Sequence, residues 1–388
     1  MPLRKSTLQK LSIEFSKDMY QDGVKRCILP GKILLQGCCV WPDNDSLIYK
    51  SAGWFVFWNL FVMESCHAAY VCKYLTDISE AVGAGATVTT TMEGVVRLYI
   101  MLQKRTILHT ILVKIWKNFW SVNVINPYQR EKMENRAKIA LILTTSFLAS
   151  ATISNSQISG VPFIKNRGMI LRSIFPFDGY KIYNYELTYV WQFSCDWFIL
   201  FMINAFDYFF IALVTICSVQ FVIVQEVIRS ILTEESRGHR EMIFGERGKT
   251  MDDREMLKEC LEQHKLIIGI CNELEESFNI TTLIQFFVST SAFCAASLIL
   301  KVDSTQFLKM VMYAAAHLSQ LLYYCYAGSV LSYESGRVAD AIYECNWHLS
   351  YDYDFRRALV LMIQRSQRVQ CLTAAGITEL GFASFLKV

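Results

Sequence analysis

The sequence predicts an all-α, polytopic membrane bundle, and three observations predict it. Six apolar stretches of about 20 residues or more punctuate the 388-residue chain. The composition is 53% hydrophobic and only 19% charged, where soluble domains average roughly 25% charged residues. The basic residues are strongly segregated: 29 of the 38 Lys and Arg fall in alternate connecting segments and seven in the others. That asymmetry places the 29-residue side in the cytoplasm. A net charge of +3 is too small to indicate a nucleic-acid partner.

Residues 1–51 read as a cytoplasmic leader, mixed polar and basic, with helices on the membrane surface. Arg4, Lys5 and Lys10 are not followed by an apolar core, so no cleavable signal is expected. The first span is 52–72, aromatic-rich, with Glu64 and His67 inside it. The second, 79–102, carries Gly83, Gly85 and a threonine-rich run, small residues that let helices approach closely or leave room for a ligand. The third, 139–160, has no charge at all. The fourth, 189–224, is too long for a core of about 30 Å and is expected to tilt or project beyond it. The fifth is 279–300 and the sixth 306–331. Residues 332–372 return to a polar, Arg-bearing composition, read as cytoplasmic helices. An apolar helix is then expected to open at Gly376, within segment 373–388. It has about a dozen residues where a span takes roughly 20, so the seventh span is expected to be incomplete. Seven spans from a cytoplasmic N-terminus place the C-terminus outside.

Charges within spans call for partners. Glu93 and Arg97 are one helical turn apart and are expected to pair. Glu64, Asp196 and Asp207 have no such neighbour in sequence and are expected to face the bundle interior or water. His317 reads as a hydrogen-bonded interior histidine. Thirteen cysteines are scattered without a CxxC pair, so neither a zinc site nor a redox motif is expected. No metal, cofactor or catalytic residue is expected. The charged segment 225–276 regains helical periodicity from Asp252, through Met256, Leu257 and Leu261, as an extension of the fifth span.

The C-terminal region carries a resemblance. Val338, Ala339, Ala341, Tyr343, Glu344 and Trp347 are followed by Leu361, Met362, Arg365, Ser366 and Gln367, then by Ala374, Ala375 and Gly376. Together they resemble the signature of insect odorant receptors. Phe175-Pro176-Phe177-Asp178 and Tyr185-Glu186-Leu187-Thr188-Tyr189 in the long outer loop are similar to that family as well. The resemblance implies a ligand-gated, non-selective cation channel subunit in the plasma membrane of olfactory sensory neurons. It implies a heterotetramer with a shared olfactory co-receptor, assembled through a cytoplasmic anchor at 332–372, where Tyr343, Trp347, Arg356, Leu361, Met362 and Arg365 are the candidate contacts. Tyr343 and Trp347, four apart, are expected to share a helix face. The alternative for all six is packing within one subunit. The resemblance further implies that Phe382, Phe385 and Leu386 begin the pore-lining helix. A small volatile apolar odorant would sit in the outer half of the bundle. Suitable side chains there are Thr87 and Thr91, Thr152 and Ser156, Trp191, Cys195 and Phe198, and Tyr313; the alternative is that they are helix-packing residues. A gustatory-type chemoreceptor channel remains a second reading, and the Tyr343 to Trp347 pattern favours the odorant branch. A G-protein-coupled receptor is a third, and it requires an outside N-terminus.

Overall fold

The computed structural model describes residues 22–165, 168–179, 181–302 and 307–387. Residues 1–21 of the leader and position 306 of the sixth expected span lie outside the described residues. The elements are α1 (Asp22–Gly37), α2 (Leu47–Lys73), α3 (Ile78–Gln103), α4 (Arg105–Asn118), α5 (Pro127–Lys165), α6 (Ile182–Arg229), α7 (Glu235–Phe244), α8 (Glu246–Thr250), α9 (Asp253–Val302), α10 (Phe307–Glu344), α11 (Tyr353–Ser366), strands β1 (Thr373–Ala374) and β2 (Thr378–Glu379), and α12 (Phe382–Phe385).

Helix α6, 48 residues long, is the axis on which the others pack. Its middle is rich in large apolar side chains, and Phe206, Phe209, Phe210 and Phe221 are fully buried. Rings interlock around it: Phe210 stacks on Tyr324 of α10 at 4.7 Å, and Phe206 and Phe210 meet Phe278 of α9 edge-on at 5.3 and 5.4 Å. Such edge-on and offset contacts suit the ring quadrupoles. Close approach to α6 needs a glycine. A Cβ at Gly94 of α3 would stand 2.6 Å from Ile199 Cγ2. Gly31 lets α1 lie against the Phe209 backbone, and Trp41 packs edge-on to Phe209 at 5.8 Å. Helix α1 and Trp41, read from sequence as part of a leader ahead of the bundle, are thus folded onto the middle of α6.

Helix α9 runs 50 residues without a break, so the periodicity beginning near Asp252 belongs to the same helix as the segment 279–300. At 1.5 Å per residue, α6 and α9 are about 70 Å long and outrun a hydrocarbon core of about 30 Å. Among the described residues α2, α5, α6 and α9 are long and apolar enough to cross a membrane. Helices α3 and α10 are long, but their sequences are diluted by Glu93 and Arg97, and by His317, Gln320 and several tyrosines. Of these, Glu93, Arg97, His317, Gln320, Tyr323 and Tyr324 face the interior, as described below.

The end of the chain differs from the sequence expectation. The helix expected at Gly376 starts at Phe382. Ala375 and Gly376 adopt φ of 51° and 73°, which turns the chain back and pairs Thr373 with Glu379 and Ala374 with Thr378. A right-handed helix cannot run through two positive-φ residues. Likewise Tyr343 and Trp347 do not share a helix face. Helix α10 stops at Glu344, and Trp347 belongs to a separate one-turn 3₁₀ segment.

Candidate functional site

The centre of the bundle holds a charged cluster drawn from four helices. Glu93 and Arg97 of α3 pair one turn apart, as their spacing predicts. Asp207 of α6, which has no partner in sequence, is the second carboxylate on Arg97. It also accepts hydrogen bonds from Gln320 Nε2 at 2.8 Å, Tyr324 Oη at 2.6 Å and Tyr323 Oη. Arg97 donates further to the Ile203 carbonyl at 3.1 Å and Gln285 Oε1 at 2.6 Å. Its guanidinium lies over Phe206, 5.1 Å from the ring centroid. All three ionisable groups are essentially inaccessible to solvent. An isolated charge here would cost several kcal/mol, so the mutual pairing is what permits the cluster.

A polar chain leads from this cluster toward the start of α3. Gln285 Nε2 donates to Ser289 Oγ at 3.1 Å, and Ser289 Oγ donates to the His317 carbonyl at 3.2 Å. His317 Nε2 lies 3.3 Å from Thr90 Oγ1, and Thr90 Oγ1 lies 3.0 Å from Tyr313 Oη. Tyr313 itself donates to the Ala86 carbonyl at 2.8 Å. On the other side of α3, Thr91 donates to Glu64 Oε2 at 2.5 Å, and Thr87 Oγ1 lies 3.1 Å from His67 Nε2. Of the eight sequence-derived pocket candidates, Thr87 and Thr91 lie one turn apart on α3, and Tyr313 of α10 reaches the same stretch through Thr90 and the Ala86 carbonyl. One turn before Thr87, a Cβ at Gly83 would meet nothing within 4 Å; Gly85, equally uncrowded, points to the opposite side of the helix.

The other five lie elsewhere. Thr152 and Ser156 return their hydroxyls to carbonyls of α5 itself, Leu148 and Thr152. Cys195 is buried and Phe198 half-buried on α6. Trp191 meets Phe175 of the segment 168–179 at 6.2 Å. Gln192, fully buried, fixes that segment through the Leu171 carbonyl at 3.0 Å and Leu171 N–H at 3.3 Å. Arg172 pairs with Glu80 at the start of α3. Sequence reading missed Gln192, Gln285, Ser289 and Gln320. Their common signal is an amide or hydroxyl within an apolar helix, where each must find an interior partner.

The anchor candidates divide by exposure. Met362 is buried, whereas Tyr343 is 75% exposed, Leu361 57% and Trp347 42%. Arg356 braces the connection between α10 and α11: it donates to the Ser350 carbonyl at 2.6 Å and lies over Trp347, 5.8 Å from the ring centroid. Arg365 donates to the Arg368 carbonyl at 3.0 Å. Ahead of the apolar part of α9, burial beside Arg365 pulls the His264 imidazole down to about 4. At the chain's end, Phe382 and Leu386 are exposed and Phe385 packs against the core.

Comparison with known proteins adds the following. The family model described as 7tm Odorant receptor matches residues 77–388. Odorant receptor 22c of Drosophila melanogaster is 24% identical over 342 residues, covering 84% of this chain and 83% of that one. Odorant receptor Or2 of Anopheles gambiae is 31% identical over 136 residues, 34% of this chain and 35% of that one. The olfactory receptor OR5 of Machilis hrabei superposes with a TM-score of 0.77 at 15% identity, covering 95% of this chain and 96% of that one; its complex with eugenol superposes at 0.75 and 14%, covering 94% of each. At those identities the likeness is one of fold.

Proposed function

The chain belongs to the 7tm odorant receptor family, and on that premise we propose how this member works: it binds a small volatile odorant and gates a non-selective cation channel assembled with the olfactory co-receptor. It is a multi-pass membrane protein, and the proposed location is the plasma membrane of olfactory sensory neurons. The proposed topology keeps the six spans of the sequence reading, with 332–372 as a cytoplasmic anchor. The segment 373–388 is proposed to lead into the pore-lining helix, with Phe382, Phe385 and Leu386 at its start.

The observation that carries the ligand reading is the row of hydroxyls at residues 87–91 of α3, where Tyr313 of α10 joins Thr90, two turns from Gly83, at which a Cβ would meet nothing within 4 Å. An apolar ligand with one polar group needs an apolar wall and one or two hydrogen-bonding partners. Thr90 and Tyr313 offer hydroxyls that can exchange a mutual bond for one to a ligand. Thr152, Ser156, Trp191, Cys195 and Phe198 remain proposed as the more distant wall. The subunit contact is proposed on Tyr343, Trp347, Leu361 and the Arg356 brace. Exposed aromatics next to arginine are characteristic of interface cores. Met362 and Arg365 would support that surface from behind.

The test is current recording from cells expressing the chain with and without the co-receptor, against an odorant panel, with surface protein quantified. Odorant-evoked cation current confined to the co-expressing cells is expected. Surface protein that stays silent across the panel would refute the reading. A receptor coupling to G proteins predicts an outside N-terminus, and an N-terminal epitope accessible only after permeabilisation excludes it.

A further inference from the structure

The sequence Glu273-Leu274-Glu275-Glu276-Ser277 puts three carboxylates into four residues of α9. At about 100° per residue, Glu273 and Glu276 share one face of the helix and Glu275 points to the other side. Each acid has its own partner. Glu273 pairs with Lys114 of α4, and Glu276 lies 3.9 Å from Lys104 at the junction of α3 and α4. Glu275 holds Thr373, the first residue of the terminal hairpin, with both oxygens. One accepts the backbone N–H at 2.8 Å and the other accepts the side-chain hydroxyl. The Thr373 hydroxyl in turn accepts from Gly376 N–H at 2.9 Å, so it fixes the positive-φ turn as well.

The hairpin has two residues per strand and no core of its own, and such a unit is not stable by itself. Its shape is dictated from outside. Besides Glu275, the Asn279 carbonyl accepts from Ala375 N–H at 3.1 Å, and Ser335 Oγ accepts from Gln370 N–H at 2.9 Å. Ser329 Oγ accepts from Phe382 N–H at 3.2 Å. Gly328 leaves room for Leu380, whose carbonyl oxygen would stand 2.5 Å from a Cβ there. Among these holds, the one from Glu275 is the charged one and reaches two groups at once, which makes it the strongest.

We propose that Glu275 is the positioning residue that sets the direction of the terminal helix, and that the acidic turn of α9 ties this hairpin to the inner end of α3, the helix bearing Thr87 and Thr91. The coupling role rests on the receptor reading above; the latch itself does not. Helix α3 is joined to α9 by the buried bond from Arg97 to Gln285 and, nearer the acidic turn, by Lys104 and, through α4, Lys114; the same helical turn holds the hairpin on its other side.

Two measurements on the full chain test it. The first is amide hydrogen exchange across 370–382 in purified protein. Glu275→Ala is expected to speed exchange at Thr373 and Gly376 by about tenfold or more, since the local opening loses a charge-assisted clamp. Glu275→Gln retains an acceptor for the Thr373 N–H and is expected to stay within about threefold of the unsubstituted chain. Unchanged exchange in Glu275→Ala overturns the latch. The second is odorant current per surface receptor in cells with the co-receptor. Glu275→Ala is expected to lower maximal current about fivefold or more, the range of a typical coupling between sites, with Glu275→Gln restoring it. Faster exchange with unaltered maximal current overturns the coupling role. If the unsubstituted chain itself gives no odorant current, the receptor reading falls and the coupling role with it, while exchange still decides the latch.

Discussion

Helices α5 and α6 are both apolar enough to cross a membrane, yet they occupy opposite places. In the most apolar 18-residue stretch of α6, 89% of residues are buried inside the protein; in that of α5, 17% are. Apolarity cannot separate the two, because lipid and protein interior are equally dry. What separates them is how their polar groups are satisfied. Helix α5 carries Thr144, Ser146, Ser150, Thr152, Ser156 and Ser159, and each hydroxyl bonds a carbonyl of α5 itself. Helix α6 carries Gln192, Asp207, Gln220 and Gln225, and each reaches another part of the chain. A hydroxyl can be silenced by its own backbone. A carboxylate or a carboxamide has more groups to satisfy than its own turn supplies, so it specifies a neighbour. In these two helices the hub is marked by Asp and Gln, the rim by Ser and Thr bonded to their own turn.

Substitutions can break this contrast. The largest effect is expected for Asp207→Ala, which leaves Arg97 short of a carboxylate and removes the acceptor of Gln320, Tyr323 and Tyr324. Orphaning one partner of a buried pair costs about 3–5 kcal/mol, and loss of mature surface protein is the expected readout. Next is Gly94→Val, where the new side chain must displace Ile199. Overpacking of this kind costs about 1–3 kcal/mol, read as a lower melting temperature in detergent.

A third test lies outside the spans, at His264. Its ordinary value is near 6.5 and its folded value about 4, so the unfolded state binds the extra proton between those limits. Stability is complete above pH 6.5 and falls as pH drops toward 4, by roughly 1 kcal/mol at pH 5.5. Melting temperatures at pH 7 and 5.5 should show this loss, and His264→Gln should reduce the slope, the half-buried His239 contributing the same sign. The smallest effect is expected on the rim: Thr152→Ala and Ser156→Ala should each change stability by no more than about 0.5 kcal/mol. A large loss there would contradict the distinction between hub and rim.

The same contrast explains what was legible in the sequence. The Glu93 and Arg97 pair is local, one turn apart, and its spacing was sufficient. The partner of Asp207 is 110 residues away on another helix, and no spacing rule connects them. The helical extension before the fifth span showed its apolar period. The hairpin at 373–379 did not, because its shape comes from Glu275, Asn279 and Ser335 rather than from its own pattern. Trp347 fell off the face expected for it because the chain leaves the helix at Glu344, and the segment that follows is braced by Arg356. Thr87, Thr91 and Tyr313 were chosen for their chemistry; the two threonines share a face of α3 by their spacing, whereas the arrival of Tyr313 at Thr90 is a property of packing, as is the separate placement of Thr152 and Ser156.

The central claim is that a ligand is held along the outer stretch of α3, between the Tyr313–Thr90 pair and the uncrowded position of Gly83 two turns away. The direct measurement is the odorant concentration–response of Tyr313→Phe and Gly83→Val in cells with the co-receptor, normalised to surface protein. Gly83→Val fills open space and Tyr313→Phe deletes one hydroxyl, so both should reach the surface as the unsubstituted chain does. The predicted result is a shift of tenfold or more in half-maximal concentration for Gly83→Val, roughly 1.4 kcal/mol, and for Tyr313→Phe a selective loss for odorants bearing a polar group. Unchanged concentration–response curves for both variants across every active odorant would contradict it.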